Sequence, residues 1–124
     1  MNELRHIGLQ VSQSDVENFY VQVLGGIIEN SFVLSPEDGS LIFGIEKQMP
    51  VYWLNCNGFI MELFVNEDVT IPNCHHTCFF TPQAMEIHTR AAKKGYPVYI
   101  RKKYEQDTYF IKDNQRNLFE IKTA

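Results

Sequence analysis

In "LRHIGLQV", residues 4 to 11, Ile7, Leu9 and Val11 alternate with His6, Gly8 and Gln10, the period of a strand with one face on a core. A helix follows. Ser14 and Glu17 have capping-box spacing, Val16, Phe19, Tyr20, Val23 and Leu24 form an apolar stripe, and Gly25 stands where a left-handed C-terminal cap belongs. The same grammar returns in the second half. "HHTCFF" reads as a short strand, Thr81-Pro82 supplies an N-cap and an N1 proline, and a helix runs to Lys93-Lys94 before Gly95 stops it. His76 lies 70 residues after His6, and Gly95 lies 70 after Gly25, which marks an internal repeat.

Each helix precedes three strand candidates. In the first half these are "IIENSFVL", "VYWLNC" and "FIMELFV", the last two joined by Asn57-Gly58, a signal for a type I′ hairpin turn. In the second they are "YPVYIRKK", "DTYFIK" and "NLFEIK", with Asp113 to Arg116 as the last turn. Both halves therefore read β-α-β-β-β, an α+β chain with module 1 at about 1–68 and module 2 at about 73–124 of a single domain. Glu120 lies 58 residues after Glu62, so the second half is about 12 residues shorter than the first offset requires. The surplus is assigned to "SPEDGSLIFGIEK", residues 35–47, whose Pro, Asp and Gly mark a loop able to form a flap over a site.

Composition narrows the partners. A chain of 124 residues with 44% hydrophobic content is long enough for one core, and a net charge of −4 leaves no basic footprint for nucleic acid or anionic membrane. "RKK" at 101–103 is one short basic cluster, read as a solvated strand end or a substrate-phosphate contact. Neither a signal sequence nor an apolar run of spanning length stands out, and the three cysteines, Cys56, Cys74 and Cys78, are too few for a disulfide framework. A cytoplasmic protein with reduced thiols and a small-molecule substrate is expected.

Glu62 interrupts Phe59, Ile60, Met61, Leu63, Phe64 and Val65, and a carboxylate buried among apolar groups costs several kcal/mol unless paired or metal-bound. Either something compensates it, or it faces water from a one-sided sheet. Glu120 occupies the matching place in "LFEIK". His6 shares a face with Gly8 and Gln10, a poor packing face and a good cavity face. In "NCHHTC", period 2 puts Cys74, His76 and Cys78 together. A zinc site using both cysteines fails on reach, since four strand residues span roughly 13 Å while two Zn–S bonds cover about 4.6 Å. The repeat selects His76 and leaves the cysteines as small packing residues, although a one-residue register shift exchanges it for His75. His88, on the second helix among Glu86, Thr89 and Arg90, reads as exposed and inert.

His6, Glu62, His76 and Glu120 thus supply donors for an open octahedral site for Ni, Co, Mn, Fe or Zn, with two positions left for substrate oxygens. Such an ion can hold a vicinal hydroxyl-carbonyl unit, stabilise an enediolate and let a displaced glutamate act as base.

These residues resemble the vicinal oxygen chelate superfamily, also called the glyoxalase, bleomycin-resistance and dioxygenase superfamily. "LRHIGLQV…FYVQVLG" resembles its opening strand and helix with His6 as first ligand, and "MELF" the segment carrying the second, Glu62. "HHTCFF" is similar to the His-His-x-Cys strand of methylmalonyl-CoA epimerases, where the second histidine binds metal. "DNQRNLFEI" resembles the closing Asp-Pro-x-Gly-Asn-x-x-Glu-Leu turn and strand, with Asn114 and Arg116 replacing Pro and Gly and Glu120 as last ligand. The resemblance implies two βαβββ modules forming a curled mixed sheet around a shared cleft, a homodimer, and a metal-dependent lyase, isomerase or epimerase with Glu62 or Glu120 as catalytic base. The His/Glu/His/Glu set is similar to bacterial lactoylglutathione lyase. Dioxygenases and thiol transferases on this scaffold usually need three ligands, two His and one Glu. A metal-free binder of the bleomycin-resistance kind is the alternative, its cleft lined by Trp53, Tyr52, Tyr99, Tyr104 and Tyr109.

Overall fold

The structure, a computed structural model, describes residues 3–68, 74–102 and 104–123; Asn73, at the expected start of module 2, and Lys103 of the basic cluster lie outside them. The chain runs β1 (His6–Val11), α1 (Gln13–Asp15) continued by a π-helix (Val16–Val21), β2 (Ile27–Leu34), α2 (Pro36–Phe43), β3 (Met49–Asn55) and β4 (Ile60–Val65). Then come β5 (His76–Thr81), α3 (Ala84–Lys93), β6 (Val98–Arg101), β7 (Thr108–Lys112) and β8 (Leu118–Thr123). Two four-stranded sheets result, ordered β1-β4-β3-β2 and β5-β8-β7-β6, each with its first and last strands parallel and the remaining pairs antiparallel. The βαβββ repeat is therefore real, and neither sheet closes on itself.

Local chemistry shifts three expected boundaries. The first helix is capped by Ser12, not Ser14: the Ser12 hydroxyl accepts the Asp15 backbone N–H at 3.3 Å. Thr81 accepts the Gln83 N–H at 3.2 Å within a turn, so α3 begins at Ala84 instead of at Pro82. The 35–47 segment is no loop. Ser35 accepts the Asp38 N–H at 3.1 Å, Pro36 occupies the first turn, Glu37 and Asp38 face the helix dipole, and Gly44 closes α2 at φ +72°.

Both sheets turn their inner faces to one core. Val11, Met61 and Leu63 from the first sheet and Ile111, Phe119 and Ile121 from the second are fully buried in a single cluster with Phe19, Tyr20, Ile87 and Ala91 from the helices. Phe19 is central, its ring 4.8 Å from that of Tyr96 and 5.8 Å from that of Phe119, so truncating it to alanine removes about 3–5 kcal/mol.

A buried polar seam joins the halves. Asp15, fully buried, accepts hydrogen bonds from the Tyr96 hydroxyl at 2.6 Å, the Asn114 N–H at 2.7 Å and the Asn114 side-chain amide at 2.9 Å. Asp113 accepts from the Tyr20 hydroxyl at 2.7 Å and from Gln115 and Asn117 backbone N–H groups at 2.9 and 2.8 Å, while the Asn117 amide reaches the Gln10 carbonyl at 2.6 Å. Burial raises the Asp113 carboxyl above its ordinary range, against the pull of hydrogen bonds from Asn117 and Tyr20. The closing turn also explains its departures from the expected motif. A proline at 114 has no N–H for Asp15, and Arg116 holds φ +66° at the position where glycine is expected.

Candidate metal centre

With the inner faces spent on the core, the outer faces carry the candidate chemistry. On the first sheet Gly8 is the Cα partner of Glu62, and on the second Cys78 is the partner of Glu120. Each histidine therefore stands two residues before the position opposite its glutamate. The result is one geometry built twice: His6 Nε2 lies 3.5 Å from Glu62 Oε1, and His76 Nε2 lies 3.3 Å from Glu120 Oε1. In both pairs the glutamate is the more deeply set partner, its side chain 14% or 19% exposed against 40% and 43% for the histidines.

The donor set fits a divalent ion. Ligands at about 2.1 Å and a right angle to each other sit about 3.0 Å apart, close to both separations. His76 sharpens the point. Its Nδ1 lies 2.9 Å from the Cys74 carbonyl oxygen, which can only accept, so Nδ1 donates there and the ring is oriented with Nε2 toward the Glu120 carboxylate. His6 likewise turns its Nε2 toward the Glu62 carboxylate.

Beyond the pairs, the surroundings differ. Glu62 accepts a hydrogen bond from the Trp53 indole N–H at 2.5 Å, and the Trp53 ring lies 6.1 Å from His6. That indole is the compensation a carboxylate among apolar residues requires. Glu120 instead faces Phe110 across the sheet and has the Lys122 ammonium 3.8 Å away. The Glu62 partner was legible: a two-residue turn at Asn57-Gly58, both at positive φ, fixes the hairpin register that sets Trp53 opposite Glu62.

The four residues come together as two pairs, not as one cluster. Among the described residues no group of three or more His, Cys, Asp or Glu side chains is close enough to hold an ion. The reason is topological, since both pairs lie on faces turned away from the shared core.

Other expectations need correction. Cys74 and Cys78 are exposed thiols, so only Cys56 packs as a small apolar group, its pKa pushed up to about 11 by burial. His88 is half-buried against Tyr109, ring centroids 5.4 Å apart, and not solvent-exposed. Of the aromatics expected to line a cleft, Trp53 and Tyr99 lie on the outer faces. Tyr52 and Tyr109 pair with Leu63 and Ile121 on the inner faces, and Tyr104 is fully exposed beyond β6. Among the described residues no helix is long and apolar enough to cross a membrane.

No protein-family model matches the chain, and no curated protein matches it in sequence. Solved structures do match. The fosfomycin resistance protein FosX from Listeria monocytogenes superposes with a TM-score of 0.74 at 15% identity, covering 100% of this chain and 94% of that one. FosX from Mesorhizobium loti gives 0.73 at 13% identity over 100% and 93% of the two chains. A glyoxalase-family protein from Bacillus anthracis gives 0.68 at 14% identity over 100% and 96%. One Listeria FosX structure holds Mn(II) and 1S,2S-dihydroxypropylphosphonic acid.

Proposed function

From a vicinal oxygen chelate fold that carries the His/Glu pair twice, we propose a divalent-metal-dependent enzyme acting on a substrate with adjacent oxygens, a lyase or isomerase that moves a proton beside a carbonyl. The observation that carries this reading is the repetition of one His/Glu geometry in identical register on two sheets, which packing alone does not require. His6, Glu62, His76 and Glu120 would hold the ion. When bound, it supplies Lewis acidity to the substrate oxygens.

The chain's own residues then divide the work. Glu62 is held by the Trp53 indole and serves as the fixed ligand. Glu120, with no indole opposite, is the carboxylate free to take the proton from the carbon beside the carbonyl and return it to the neighbouring carbon. Lys122, 3.8 Å from Glu120, offers a cation to an anionic substrate group.

A second copy of the chain completes the site in this reading, because each copy displays two half-sites on outward faces. The β2 edge supports such association, exposing Ile27 at 69% and Val33 at 55%. A second reaction class is favoured by the FosX structure with Mn(II) and a diol phosphonate. Here Glu120 would deprotonate a water that opens an epoxide, the proton passing to the released alkoxide.

The test is metal titration of chelator-stripped protein with Ni, Co, Mn, Fe(II) and Zn, read by stoichiometry and by fluorescence of the single tryptophan, which touches Glu62. About one ion per chain is expected, with none retained by His76→Ala. Glu120→Gln should then separate binding from chemistry, keeping much of the metal and losing turnover of a methylglyoxal-thiol adduct, an acyl-CoA epimer or an epoxyphosphonate. A native chain that takes up no ion overturns the enzyme reading and leaves the metal-free binder.

A further inference from the structure

Resting on that reading, we infer that the first module carries an apolar subsite for the substrate's hydrocarbon arm, built by α2 beside the His6–Glu62 half-site. A cavity of about 220 Å³ lies between α2 and the outer face of the first sheet, with Gly8, Phe43, Ile45, Met49 and Phe64 among its walls. It adjoins the half-site, since Gly8 is the Cα partner of Glu62 and Phe64 is two residues further along the same face.

Three features mark it as a place for a ligand. First, Gly8 lets the Phe64 ring lie close over the strand as a wall of the cavity: a Cβ there would meet that ring at 3.3 Å. Second, α2 leans over the sheet through Phe43, whose ring is 4.9 Å from that of Phe64, yet Phe43 remains 48% exposed and so has surface left to cover. Third, the polar group at the rim is already engaged. The Gln10 amide donates to the Asp68 carbonyl at 3.2 Å and accepts from Asn66 at 3.3 Å, which leaves the walls apolar toward an occupant. Module 2 differs at the corresponding place: Cys78 stands in the position of Gly8 and Lys122 in that of Phe64, no helix is found between β6 and β7 among the described residues, and the cavity there, about 460 Å³, carries Glu105, Asp107 and Lys122 in its walls beside Phe80 and Tyr104. The substrate class is therefore an adjacent-oxygen compound with an alkyl or aryl arm on one side of the oxygens.

The test uses hydroxamates, whose carbonyl and hydroxyl oxygens form an adjacent pair that chelates divalent ions. The metal-loaded protein is titrated calorimetrically with acetohydroxamate, butyrohydroxamate, hexanohydroxamate and octanohydroxamate, alongside the metal titration itself. Affinity should rise roughly three- to fourfold per added methylene until the cavity is full. Phe43→Ala, an exposed position on α2, should flatten that rise while leaving acetohydroxamate affinity and metal uptake unchanged, and Gly8→Val should abolish the rise by displacing the Phe64 ring from the cavity wall. A flat series on native protein that does bind metal overturns the subsite and leaves the metal site standing. A full rise in Phe43→Ala also overturns it, because the tail then lies elsewhere. Absence of metal uptake overturns the underlying reading, and the subsite with it.

Discussion

On the first sheet Glu62 sits between His6 and the Trp53 indole, with Phe64 and Phe43 beyond; on the second, Glu120 sits between His76 and Lys122, with Cys78 across the strand. The chelating element is the same in both, down to a difference of 0.2 Å between 3.5 and 3.3 Å in the nitrogen–oxygen separations. Everything around it has diverged. On the proposed function such a pattern separates two tasks: the paired imidazole and carboxylate at fixed register would hold the ion, and the flanking residues would set how each side treats the rest of the ligand. One side is apolar with its carboxylate held by an indole, and the other carries a lysine beside its carboxylate.

The strongest way to break this comparison is to ask whether the modules act within one chain or between chains. His6→Ala and His76→Ala should each lower metal affinity at least about a hundredfold, since losing a ligand exceeds the effect of losing an outer partner. Mixed after unfolding and refolded together, the two variants should regain metal binding, because a pair of unlike chains contains one site with both histidines intact. If no mixture binds metal, the half-sites do not pair across chains, and the proposed dimer is wrong.

A smaller effect sharpens the division of labour between the glutamates. Trp53→Phe removes the hydrogen bond that holds Glu62 and should weaken the metal about tenfold, as outer partners of ligands commonly do. Phe110→Leu, opposite Glu120, should leave affinity within about twofold, because no hydrogen bond is lost there. Equal losses in the two variants would show that the two sides are not chemically distinct.

The mildest test concerns the seam that holds the modules together. Burial, followed by the nearby Asp113 and Asp15 carboxylates, raises the Tyr20 pKa well above its ordinary value, and burial with the Asp15 hydrogen bond raises that of Tyr96. The sign follows from the unfolded chain, where tyrosine ionises near about pH 10. Stability from these groups is complete below that pH and is lost as pH rises toward the folded values, by up to about 1.4 kcal/mol per pH unit for each group. Urea midpoints measured at increasing alkaline pH should fall steeply for the native chain. In Tyr20→Phe the slope should be shallower, even though that variant starts from a lower midpoint with Asp113 short of one donor. An unchanged slope would mean that Tyr20 does not couple the halves in this way.

Much of this protein was legible because its signals are local. Alternation in "LRHIGLQV" set His6 on the face away from the core, the carboxylate in "MELF" marked Glu62 as needing compensation, glycines at 25 and 95 marked left-handed helix ends, and the repeat offset chose His76 over His75. The α2 helix was equally local and was misread: Ser35, Pro36, two acidic residues and Gly44 are start and stop signals, but the same residue types also make loops, and eight residues leave little periodicity to decide. The Asp15–Asn114 and Asp113–Tyr20 bonds join residues about a hundred positions apart, with no spacing rule to announce them. Sequence therefore determined the modules, their strands and the residues able to bind metal, because period and turn chemistry act over a few residues. Tertiary structure alone decided that the four candidate residues face outward as two pairs, because that depends on which sides of the two sheets the shared core claims.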